Sequence, residues 1–311
     1  MADKQLSRSD FLKAGGVIAV SVALAAWDTN RRVDGLVTNS AVLDTIINNG
    51  SNISVEQRKQ KILEALEKSA FKPEIFGSFA KFLALEVHAN FKGYYTARDT
   101  IRNFLFGEGK ELDITNSLAE SLRKEPQWLD GQFDRNFASD REILQALTKH
   151  TYENSVELKK RDPTNTNVSF NSNEKGSLEA RLVGDNANTD TFYSLYKFRI
   201  SVDGKIDSSG ITADCKLTDR YDWDGRVSDA ASLTYGQAAE IAIEYLEFLG
   251  IRRSKDDILK LIGINEGESA EQFVSIDDRD GLRLQEAGVG KPFNIYANWK
   301  VINMKVKESL N

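Results

Sequence analysis

Asp219, Tyr221, Asp222 and Asp224 fall within six residues, and Arg226 follows directly after Gly225. Carboxylates this crowded raise one another's pKa or recruit a cation, and either effect serves acid–base work or metal-assisted hydrolysis. Asp219, Tyr221, Asp222 and Arg226 are therefore the candidate catalytic residues, with Asp222 and Asp224 the candidate ligands of a divalent ion. In such a site the arginine would meet phosphate, whose oxygens match its forked donors. The same stretch also spells a turn, because Asp-x-Asp-Gly lets Asp222 or Asp224 bond only nearby backbone amides. An EF-hand loop is ruled out, since the further ligands and the closing glutamate are missing. Asp277, Asp278 and Asp280 before Gly281 form a second, more turn-like cluster.

A strand has to deliver these side chains. Phe192, Tyr196, Phe198, Ile200 and Val202 share one parity, and Ile211, Ala213, Cys215 and Leu217 share another run of it, which is the period of half-buried strands. Asp203-Gly204-Lys205 and Ser208-Ser209-Gly210 supply turn residues between them, so the two runs read as antiparallel neighbours. Further strands are expected over 168–170, 177–184, 272–276 and 292–306.

Helices dominate what precedes. Ser54 and Gln57 form a capping box ahead of Ile62, Leu63 and Leu66, and that helix should stop before Pro73. Phe76, Phe79, Leu83, Val87 and Phe91 make an apolar stripe at spacings of three and four. Helices are also expected over 99–106, 115–124 and 139–156. Phe91, Tyr94, Tyr95, Phe104, Phe106, Trp128, Phe133 and Phe137 crowd this half, and core packing explains them better than a groove. His88 and His150 read as surface or satisfied residues.

The fold class expected is α+β: an N-terminal helical bundle over 33–160, a polar linker from Lys159 to Asn167, then a mainly antiparallel β domain over 168–311. A helical insertion over 234–263 opens with a capping box of Thr234 and Gln237.

Composition narrows the function classes. A net charge of −6 without a basic stripe argues against nucleic-acid binding. The lone Cys215 excludes an internal disulfide and reads as a small buried hydrophobe. Two distant histidines leave no zinc ligand set and no Ser-His-Asp triad. Residues 1–27 read as a signal-like or anchor segment, with Lys4 and Arg8 ahead of an apolar run from Ala14 to Trp27 that ends near Ala23-Leu24-Ala25. Arg31 and Arg32 just beyond it suit an anchor.

Two resemblances sit on these residues. Ser7-Arg8-Ser9-Asp10-Phe11-Leu12-Lys13 resembles a twin-arginine export signal, with Ser9 in place of the second arginine. Asp219-Arg220-Tyr221-Asp222-Trp223-Asp224-Gly225, followed by Leu284 to Tyr296, resembles the C-terminal domain of certain bacterial secreted toxins. More distantly it is similar to the catalytic domain of colicin M type bacteriocins, which cut a lipid-linked cell-wall precursor at its pyrophosphate and need Mg²⁺. Asp219, Tyr221 and Asp222 match that family's Asp-x-Tyr-Asp; its following His-Arg has no counterpart, since no histidine comes after His150. The resemblance implies an exported, toxin-like, Mg²⁺-dependent hydrolase at the cell envelope. The competing expectation is a non-catalytic binding or structural protein associated with the envelope or membrane, whose partner the sequence does not name.

Overall fold

One helix is apolar on nearly every side, which makes it the natural centre of a helical unit. It is α2 (Pro73–Phe91), started by a proline in its first turn, where the missing N–H removes no helical bond. The computed structural model describes residues 45, 53–70, 72–124, 139–165, 176–181, 190, 194–195, 197–223, 228–248, 250–264 and 268–307. The signal-like segment and the strand expected at 168–170 lie outside them. No helix among the described residues is long and apolar enough to cross a membrane.

The chain forms two compact units. The first combines residues 1–110 with 185–187 and 222–293. In it α1 (Val55–Ser69), α3 (Tyr95–Phe106), α6 (Tyr235–Phe248), α7 (Lys255–Leu261) and α8 (Asp278–Glu286) pack on α2, beside an antiparallel pair of strands, β5 (Ser228–Thr234) and β6 (Phe273–Asp277). The capping box of Ser54 and Gln57 is formed, as is that of Thr234 and Gln237. Phe76, Phe79, Phe82, Leu83 and Val87 of α2 are buried with Phe104 and Phe106 of α3. Rings meet stacked, tilted or edge-on: Phe79 and Phe106 at 6.1 Å, Phe82 and Phe104 at 5.5 Å. Aromatic crowding in this stretch is thus largely core, although Phe91 and Tyr95 emerge at 50 % and 37 % exposure. Trp128, Phe133 and Phe137 lie outside the described residues.

The second unit holds the main sheet. Its order is β1-β7-β4-β3-β2, with β1 (Leu112–Asp113), β2 (Gly176–Arg181), β3 (Lys197–Asp207), β4 (Gly210–Tyr221) and β7 (Phe293–Met304). β2 and β4 flank β3 antiparallel, whereas β1 runs parallel to β7. Helices α4 (Thr115–Lys124) and α5 (Asp140–Arg161) belong here, α5 packing on β2. Phe198, Ile200 and Val202 of β3 are buried with Ile211, Ala213, Cys215 and Leu217 of β4, as the parity required. The hairpin turns on Ser208-Ser209 alone, where Gly210 takes φ 122°, a conformation a β-carbon would strain. Asp203-Gly204-Lys205, expected as a turn, is paired strand, with Gly204 opposite Ala213.

Mixed helix and sheet is the architecture, as the α+β expectation had it, but the units do not follow chain order. Residues 33–160 and 168–311 do not coincide with them. Helices α6 and α7, read as an insertion over 234–263 in a β domain, lie against α2 because their own buried face (Ala238, Ile241, Ala242, Tyr245, Ile258) needs an apolar partner. Helices α4 and α5 go instead with the sheet.

Close approach of α7 to α2 is possible only at a residue without a side chain. A β-carbon on Gly77 would stand 1.8 Å from the carbonyl oxygen of Leu261. Gly77→Ala should therefore lower stability by about 2–3 kcal/mol in urea denaturation. A loss below about 0.5 kcal/mol would show that α7 does not rest on α2 there.

Candidate functional site

Strand parity decides where the Asp-rich run points. Leu217, Asp219 and Tyr221 share one face of β4, so the face that buries Leu217 also takes in the Tyr221 ring, 1 % exposed. Asp219 is half-buried, and its Oδ1 accepts the backbone N–H of Arg220 at 2.8 Å. The boundary between the two units falls directly after Tyr221. Asp222 is exposed beyond the strand end. Asp224 and Arg226 lie outside the described residues. Among the described residues no group of His, Cys, Asp or Glu could hold a metal ion.

Trp223 is fixed through both its ring and its backbone. Its ring meets Phe82 edge-on at 5.3 Å and Phe104 at 6.3 Å. Gly281 makes room for it, since a β-carbon there would fall 2.2 Å from the indole. Gln285 of α8 grips its backbone at both ends, accepting from the N–H at 2.9 Å and donating to the carbonyl at 3.1 Å. The run 219–223 thus carries an aromatic anchor for the first unit beside one exposed carboxylate.

A second carboxylate gathers polar partners inside that unit. Asp280, buried near the start of α8, accepts from Ser78 Oγ at 2.6 Å and pairs with Lys81 Nζ at 3.1 Å and Arg283 Nη1 at 3.4 Å. A serine three residues before a lysine on one helix face is a nucleophile spacing when the amine is neutral and can take the hydroxyl proton. Here the amine is ion-paired, the hydroxyl points at Asp280, and Ser78 is 1 % exposed. The bonds hold α8 to α2. In the sequence Asp280 stood only as part of a turn-like cluster; Arg283 is a local partner, but Ser78 and Lys81 come from some 200 residues away and left no local signal.

The strongest polar cluster was not legible as one. Glu86 of α2, fully buried, accepts from Arg58 Nη1 of α1 at 3.2 and 3.3 Å and from Arg102 Nε of α3 at 2.8 Å. Arg58 Nη1 also bonds the buried hydroxyl of Tyr245 on α6, and its guanidinium lies 4.7 Å from the Phe106 ring. Arg102 reaches Asp99 at 3.2 Å and the carbonyl of Thr45 at 3.3 Å. Burial alone would lower the Arg58 pKa, but Glu86 and Tyr245 outweigh it and raise it further. Burial first and Glu86 second push the Tyr245 phenol well up, so it stays a neutral hydroxyl. A weak clue existed, because Arg58 stands four residues before Ile62 on the face that α1 buries.

His88 and Cys215 are also shifted by burial. Burial, then the nearby Lys92 charge, lowers His88 to about 4. Burial raises the Cys215 thiol to about 12, with Asp214 adding to it against a bond from Thr148, so it is an inert buried thiol.

Glu86→Gln should cost about 3–5 kcal/mol, because it leaves two buried guanidinium groups facing a neutral amide; urea denaturation checks this. His88 sets an acid response. Its folded pKa lies below the ordinary 6.5, so between pH 6.5 and 4 the unfolded chain takes up a proton that the folded chain refuses. The contribution of His88 to stability falls through that window, by about 3 kcal/mol at its lower end, while Glu244, raised to about 7 by burial and by Glu240 and Glu247, acts in the opposite direction. His88→Gln should flatten this part of the pH–stability curve, and an unchanged slope would contradict the burial of a neutral imidazole. Comparison with known proteins adds no kinship: no family model matches the chain, and no curated protein or solved structure matches it either.

Proposed function

We propose that this is an exported, envelope-associated protein that binds or scaffolds without chemistry of its own, in which the Asp219–Trp223 run anchors the fold. The observation that carries this reading is Trp223, whose ring and both backbone polar groups are engaged by Phe82, Phe104 and Gln285. The buried Tyr221 supports it, since an enclosed phenol offers nothing to a substrate. So do Asp280 and Glu86, two buried carboxylates that each hold helices together. Export rests on the signal-like residues 1–27.

One observation favours the hydrolase reading as a second. Asp222 is exposed and is followed in sequence by Asp224 and Arg226. Asp222 and Asp224 would hold the Mg²⁺ of that reading, which would polarise a pyrophosphate oxygen, with Arg226 on the phosphate.

Purified protein incubated with a lipid-linked cell-wall precursor and Mg²⁺ separates the two. The proposal expects no pyrophosphate-bond cleavage, stability of Asp222→Ala within about 1 kcal/mol of the parent, and a loss of about 3–5 kcal/mol in Trp223→Ala. Mg²⁺-dependent cleavage abolished by Asp222→Ala would replace it with the hydrolase.

A further inference from the structure

A guanidinium carries its five N–H donors on three nitrogens, and Arg58 bonds through only one of the three. Nη1 serves Glu86 and Tyr245. Nε and Nη2 are buried and meet no hydrogen-bond acceptor. These two nitrogens form the side edge on which arginine pairs a carboxylate or phosphate through two parallel N–H···O bonds. The Phe106 ring, 4.7 Å away, satisfies the face of the group but accepts nothing in its plane.

Charge points the same way. Arg58, Arg102 and Glu86 are all buried, two cations against one anion. Asp99 compensates only from the Arg102 side, with its side chain 29 % exposed. A buried donor left without an acceptor is costly, and a fully buried cation with two such donors doubly so. What the edge asks for is a pair of anionic oxygens.

We propose that Arg58 Nε and Nη2 bind a small oxyanion side-on, as an occluded structural ligand of the helical unit. A carboxylate of the chain itself would have the same chemistry, but no described carboxylate reaches this edge. The ion proposed for this edge comes from solution. With Arg58 fully enclosed it enters as the helices assemble and exchanges slowly. This site is independent of the function proposed above.

Full-length protein, desalted natively into chloride buffer, is melted against rising inorganic phosphate and, separately, acetate, at constant ionic strength. Tm should rise by a few degrees for each tenfold increase of the preferred probe above its Kd. Arg58→Lys keeps the charge and loses the fork, and should abolish the rise; Arg123→Lys, an exposed arginine, should keep it. A second measurement stands even if Arg58→Lys fails to fold: unfolding the desalted parent protein should release about one equivalent of phosphate or an organic acid, the stoichiometry of a single fork. A flat Tm with no ion released overturns the proposal, leaving water or a chain carboxylate at the edge. An equal rise in Arg58→Lys overturns it as well.

Discussion

The helical unit depends on one carboxylate shared by two arginines in a place water does not reach. Glu86 sits on α2, the helix on which five others pack, and its two oxygens draw in α1 through Arg58 and α3 through Arg102. Tyr245 brings α6 to the same point. Buried ion pairs add little net stability compared with apolar side chains of the same volume, but they are unforgiving of mispairing. A slip of α1 by one turn would bury Arg58 without its partner. The network therefore selects one packing among the several that an aromatic, all-round apolar helix would accept.

That selection bears on function through the neighbouring anchor. Trp223 lies on Phe82 and Phe104, side chains of the same α2 and α3 that Glu86 and Arg102 bind together. A motif that looks like an acidic site in sequence thus ends in an indole held by the core. Asp222, the next residue back, is exposed beyond the strand end. Phe91 and Tyr95 are exposed at the α2–α3 corner, with Arg98 4.9 Å from the Tyr95 ring.

Local chemistry made much of the fold legible. The capping boxes at Ser54 and Thr234 and the parity of Phe198–Val202 and Ile211–Leu217 are short-range signals, and each produced its element. β5 was missed because Ser228-Asp229-Ala230-Ala231-Ser232 has no β-branched or aromatic residue; its pairing with β6 holds it extended. The grouping of elements into units escaped for a different reason. Which apolar faces meet is a long-range matter, and nothing near Tyr235 says that α6 must cover α2. The candidate site divided along the same line. Asp219, Tyr221 and Asp222 stood out as a cluster because they are neighbours in the chain, whereas Arg58, Glu86, Arg102 and Tyr245 are distant in sequence and resemble surface polar residues until burial is known.

A double-mutant cycle on Arg58 and Glu86 tests the organising role of this ion most directly. Arg58→Met, Glu86→Leu and the double variant are compared with the parent by urea denaturation. The account predicts that the double variant is more stable than Glu86→Leu alone, with a coupling energy of about 2 kcal/mol, because the second change removes the cation the first had stranded. Additive effects within about 0.5 kcal/mol would contradict it, and would mean that the helices are positioned by their apolar faces alone.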